Sequence, residues 1–291
     1  MRRVVVGLEK VIMKYGRLKK GLAGLLLLSS FLAHTSAARQ APADKVTREE
    51  AAEARATAAA FAERLRATQD FGAVARELYA DDFMSRQLKS LNDWAGRVQT
   101  NTFMLAGVPS LTFERSLAEK APAEDWRRLR IAADNLLHFM FLSLLARQSF
   151  QDLGDPDKYD DRAALGVFPP EAVKVLGANP SLANFLKKQE DEVVIRTPEE
   201  LRAVAAALEE AVRLTRPRLA ESLAQGKHLA ANLRLFGEGF SRDEVKTADA
   251  VAAGYPEGTR LFHVFAPNAY NLLLVRQGGA MKIVWAGLPS D

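Results

Sequence analysis

The chain has 291 residues, of which 40 are Lys or Arg, 36 are Asp or Glu, 48% are hydrophobic and none is cysteine. Without cysteine there is no disulfide, thiolate metal site, cysteine nucleophile or lipid-modified cysteine, so a hydrophobic core must stabilise the fold. Residues 1–37 hold seven of the basic and one of the acidic side chains, leaving 33 against 35, a formal net of −2 that offers no electrostatic reason to bind nucleic acid or an anionic membrane.

The first residues follow the order of a secretory signal. Lys14, Arg17, Lys19 and Lys20 form a basic patch, Gly21 to Ala33 is apolar or small, and Thr35-Ser36-Ala37-Ala38 places small residues where cleavage needs them. The apolar run is 13 residues long, against the roughly 20 a bilayer-spanning helix requires. We therefore expect a signal peptide over residues 1–37, export to the periplasm or secretion, and no stable membrane span after cleavage. Residues 38–46 read as a linker, and residues 47–291 as a single α+β globular domain, predominantly helical.

Thr47 and Glu50 have the spacing of a capping box, with Ala54, Ala58, Phe61 and Leu65 following at helical period. Asp70 opens a second helix, and Phe83, Leu88, Leu91 and Trp94 mark a third. Phe103 to Val108 and Leu111 to Phe113 suit one or two short strands. From Pro122 to about Gln151 the pattern predicts a helix apolar nearly all round, as in a central core element; its stretch LLHFMFLSLLA is too short to span lipid. Short helices are expected around 170–177 and 181–190, and a strand at Val193-Val194-Ile195. Thr197, Pro198 and Glu200 start a helix that Gly226 stops, with Pro217 expected to kink or divide it. Ser241 and Glu244 suggest a last helix ending near Gly254. Three β-rich segments then complete the chain, the final pair joined by Gly278-Gly279, a hairpin signal, so the chain should end as an antiparallel β-meander.

Phe61-Ala62-Glu63-Arg64-Leu65, Gln69-Asp70-Phe71 and Leu78-Tyr79-Ala80-Asp81-Asp82-Phe83 are similar to the opening of the nuclear transport factor 2-like superfamily, the conical α+β fold of ketosteroid isomerase and polyketide-cyclase-type proteins. Gly278-Gly279-Ala280-Met281-Lys282-Ile283-Val284 resembles that family's closing strand. The resemblance covers about 40 residues of structural, not catalytic, motif. It implies a helical insertion, over residues 122–254, in a fold usually half this length.

Asp134 and His138, four apart on one helix face, are the catalytic candidates: the carboxylate could orient the imidazole and raise its basicity. The alternative is a core-edge histidine. His263, Phe141 and Trp126 are candidates to line a ligand pocket between helix 122–151 and the terminal sheet. Asp152, Asp155, Asp157, Asp160 and Asp161 supply oxygen ligands but lack the spacing of a calcium loop. No metal and no cofactor is expected. The residues thus support an exported, non-catalytic binding or interaction protein, with a small apolar ligand or an envelope protein as partner. Trp94, Phe103 and Phe113 are candidates for an exposed apolar surface toward such a protein. The rival is an isomerase, dehydratase or cyclase using His138 as base and Asp134 to orient it.

Overall fold

The computed structural model describes residues 45–105, 111–153, 166–183, 193–240, 245–251, 253–266 and 270–287. The expected signal, most of the linker and Asp155, Asp157, Asp160 and Asp161 lie outside them. The chain is α+β and mostly helical, as expected. In chain order it forms α1 (Arg48–Thr68), α2 (Phe71–Leu78), α3 (Phe83–Arg97), β1 (Thr102–Met104), β2 (Leu111–Glu114), α4 (Leu117–Lys120), α5 (Ala123–Arg147), α6 (Phe150–Leu153) and α7 (Pro170–Ala178). Then come β3 (Val193–Ile195), α8 (Pro198–Gln225), α9 (Leu229–Phe240), β4 (Lys246–Ala248), β5 (Leu261–Ala266), β6 (Tyr270–Gln277) and β7 (Ala280–Gly287). Where the sequence reads as one domain, the described residues cluster into two compact units, Asn101–Asn232 and a discontinuous second built from the chain before Asn101 and after Asn232.

In the discontinuous unit, α1 starts at the expected capping box: Thr47 Oγ1 accepts from the Glu50 N–H at 3.1 Å, and Glu50 accepts from the Thr47 N–H at 2.8 Å. Its apolar stripe, Ala54, Ala58, Phe61, Ala62 and Leu65, is buried, and α1 packs on β5. Phe61, Phe71 and Tyr270 meet ring to ring at 5.5–6.0 Å. The acidic side of α1 ties down the sheet, for Glu50 pairs with Arg260 at 2.9 Å and Glu53 with Arg276. The sheet has the order β4-β5-β6-β7, antiparallel throughout. Gly278 and Gly279 both have positive φ (60° and 82°), the left-handed pair that a tight hairpin turn between β6 and β7 demands.

One expectation fails here. Residues 241–244 lie outside the described residues, but the chain beyond them forms β4, with turns at 250–251 and 253–254, in place of a helix. Thr247 and Ala248 pair with Phe262 and Leu261 of β5, so sheet hydrogen bonding overrides the local cap spacing. Gly254, at φ 78°, closes the second of these turns against α3. Beside it, Arg86 bonds Asp82 at 2.9 Å and lies over the Tyr255 ring.

In the helical unit, β1 pairs antiparallel with β2, and β2 pairs parallel with β3. The two long helices α5 and α8 come after these parallel strands and pack together. They run parallel too, because their contacts advance in step: Asp125 with Arg202 at 3.3 Å, Arg128 with Glu209 at 2.6 Å, Arg147 with Ser222 at 3.2 Å. The helix expected over 122–151 breaks at Arg147, with α6 a separate short piece. Pro217 does not divide α8; it lies on the exposed face, where the carbonyl it leaves without an amide partner can take water. Of the helix expected at 181–190, residues beyond 183 are outside the described set.

By length and composition, α5 is long and apolar enough to cross a membrane, contrary to the reading of its apolar stretch alone. Its most apolar window is 72% buried inside the protein, the pattern of a core helix. Phe103 and Phe113, read as an exposed apolar surface, are both buried and pack around Trp126, with centroids 6.0 and 4.8 Å from its ring. The strands bring their apolar side inward onto α5, which sequence alone could not orient. Trp94, in the other unit, is half-buried.

Candidate functional site

The predicted catalytic pair is separated by its own helix. The Asp134 carboxylate turns back one turn to Arg130, whose Nε donates to both oxygens at 2.8 and 2.9 Å. Arg130, Asp134 and His138 are all buried. Burial pushes the Asp134 carboxyl up to about 6, with the Arg130 guanidinium pulling against it. Burial alone drives His138 down to about 3. The expectation that Asp134 would make the imidazole more basic is therefore corrected: the carboxylate serves a guanidinium, and the ring is held neutral by desolvation. A base so weak takes up few protons near neutral pH.

The other candidates do not join this pair. Trp126 is fully buried in the aromatic cluster with Phe103 and Phe113. Phe141 is half-buried on α5. His263 belongs to the other unit, half-buried on β5, with Nε2 3.2 Å from Asn271 Oδ1 and its ring 5.2 Å from that of Phe265. Asp152, the described member of the acidic loop, accepts from Ser149 Oγ at 2.6 Å. Among the described residues, no group of three His, Asp or Glu side chains is placed to hold a metal.

The helical unit does present a recess, in a place no motif marked. It is a cleft of about 250 Å³ lined by Ala146, Arg147, Ser222, Gln225, Gly226, Lys227 and His228. Parallel packing of α5 and α8 creates it by bringing two helix C-termini together. Gly226, the cap of α8, sits directly on Ala146, and the His228 N–H donates to the Ala146 carbonyl at 3.2 Å. Asn232 then donates its side-chain amide to the carbonyls of Leu145 and Gln148 at 2.8 and 2.7 Å. Across the cleft, Arg147 Nε donates to Ser222 Oγ at 3.2 Å.

This lining is polar and rich in donors, unlike the apolar pocket the sequence suggests. Ser222 and His228 share the cleft, yet no hydrogen bond joins them among the described residues, so a base-activated serine is not assembled there. The sequence carries one trace of the site: Arg147 ends one helix, and Lys227-His228 come directly after the glycine that ends another. That both ends meet is a tertiary fact. No protein-family model, curated protein or solved structure matches this chain.

Proposed function

We propose that this chain is an exported, non-catalytic binding protein that holds a small ligand in the cleft between α5 and α8. One observation carries the reading. The recess offers hydrogen-bond donors without an assembled acid–base or nucleophile pair, while the titratable pair that could do chemistry is buried away from it in the core of α5.

Native mass spectrometry of the purified full chain, with thermal shifts against a library of small polar metabolites, tests this. A retained mass, or a saturable rise in Tm, is expected; neither would sink the proposal. Export is tested by fractionation and N-terminal sequencing. A mature start near Ala38 outside the cytoplasm is expected, and an uncleaved cytoplasmic chain would overturn it.

Kinship with the nuclear transport factor 2-like superfamily belongs to the same proposal. What supports it is the turn before α3, where the Ala80 N–H donates to the Ile283 carbonyl at 2.9 Å. The opening motif and the closing strand, the two segments that carry the resemblance, are thereby neighbours.

A further inference from the structure

The geometry points to the α5–α8 cleft as a site for a small oxyanion ligand, one presenting a carboxylate or a phosphate group. This deepens the proposed binding function and rests on it. Among the described residues no Asp or Glu lines the cleft, whereas Arg147, Lys227, His228, Ser222 and Gln225 all do. Elsewhere on the same two helices several cations are matched to acids: Arg128 to Glu209, Arg202 to Asp125 and Glu199, Arg213 to Glu210, Arg218 to Glu221. Arg147 and Lys227 have no carboxylate partner among the described residues.

The plain alternative is that these cations only compensate the helix ends. For four of the eight carbonyls at these ends the hydrogen-bonding part of that task is already done by others. The carbonyls of Leu144, Leu145, Ala146 and Leu223 accept from the Gln148 N–H, the Asn232 amide, the His228 N–H and the Gly226 N–H, at 3.0, 2.8, 3.2 and 3.2 Å. The electrostatic part is the dipole, worth about half a negative charge per C-terminus. Two such ends amount to about −1 against the +2 of Arg147 and Lys227. The surplus of about +1 is what one anionic group would neutralise.

The shape agrees with the charge. Ser222 holds the Arg147 guanidinium by its Nε, which leaves the two Nη groups as a planar pair of donors, the arrangement that carboxylate and phosphate oxygens accept bidentately. A volume of about 250 Å³ falls below the roughly 300 Å³ at which drug-sized sites begin, which suits a small metabolite.

Calorimetric titration of the full chain with succinate and with inorganic phosphate, at ionic strength fixed with sodium chloride, separates the two sources. Saturable one-site binding of at least one anion is expected, weakened tenfold or more in Arg147→Gln and in Lys227→Gln. Both residues are exposed, so each variant should keep its Tm. Glycerol, a neutral control, should not bind. Absence of saturable binding by either anion, or binding unchanged in both variants, overturns the assignment. If native mass spectrometry instead finds a molecule that both variants retain, the oxyanion assignment fails while the binding reading stands.

Discussion

Gly226 approaches Ala146 so closely that a β-carbon on Gly226 would lie 2.5 Å from the Ala146 β-carbon. Its φ of −73° is open to any residue, so the requirement for glycine at this cap is one of space between α5 and α8. Gly226→Ala should force the helix ends apart and cost about 1–3 kcal/mol, as overpacking of a tight contact does. Chemical denaturation would read the loss, and weaker ligand binding should accompany it because the cleft wall moves. A variant as stable as the parent would show that the ends part freely.

Asn232 is the side chain that seals the end of α5. It is buried, and its amide serves two carbonyls at once. Asn232→Ala leaves both without that donor, and a buried acceptor so stranded costs about 1–3 kcal/mol. Hydrogen exchange should show faster opening of the last turn of α5, with the antiparallel sheet of the other unit unchanged. Uniform acceleration in both units would contradict this local role.

The Arg130–Asp134 pair predicts an asymmetry between single and double replacement. Arg130→Met leaves the buried Asp134 carboxylate without its guanidinium and should cost about 3–5 kcal/mol at neutral pH. Arg130→Met combined with Asp134→Leu removes both charges and should recover most of that loss. Urea midpoints of the two variants and the parent decide it. If the double variant is no better than the single, the pair contributes something other than mutual neutralisation.

His138 should make the helical unit sensitive to acid. Its folded value lies near 3, below the ordinary 6.5, so its contribution is complete above about pH 6.5 and is lost as pH falls toward 3. Each pH unit in that window costs up to about 1.4 kcal/mol. Asp134 acts in the opposite sense. Its raised value, about 6 against 3.8, favours the fold at low pH and loses that advantage between about pH 4 and pH 6. The two slopes oppose each other from pH 4 to pH 6, leaving the histidine to act alone below that range. His138→Gln should therefore flatten the stability profile most between pH 4 and pH 3. An unchanged profile there would show that the imidazole is already protonated in the fold.

The features legible in the sequence are those that neighbours in the chain decide. Thr47 with Glu50, Asp70, Thr197 with Pro198, and Gly278-Gly279 carry their instruction within four residues, and each marks its element correctly. Asp134 shows the limit. Arg130 and His138 stand four residues to either side of it on the same face, so spacing offers two equivalent partners, and only the opposite charge and the buried setting settle the choice. Ser241 and Glu244 mislead for a related reason: the cap spacing is local, and here the residues after it pair with β5. The cleft is invisible in the sequence because its walls, Arg147 and Ser222, are brought together by packing alone.

The parallel course of α5 and α8, and of β2 and β3 before them, has a consequence for how this unit is made. Leu111 pairs with Val193, a separation of roughly 80 residues, so neither the parallel strand pair nor the helix pair can close until the second half of the unit has been synthesised. Contacts of such long range slow folding, because the chain must surrender its loop entropy before those contacts repay it. Until then α5 must wait with its apolar surface unsatisfied, the condition in which a nascent chain most needs a chaperone.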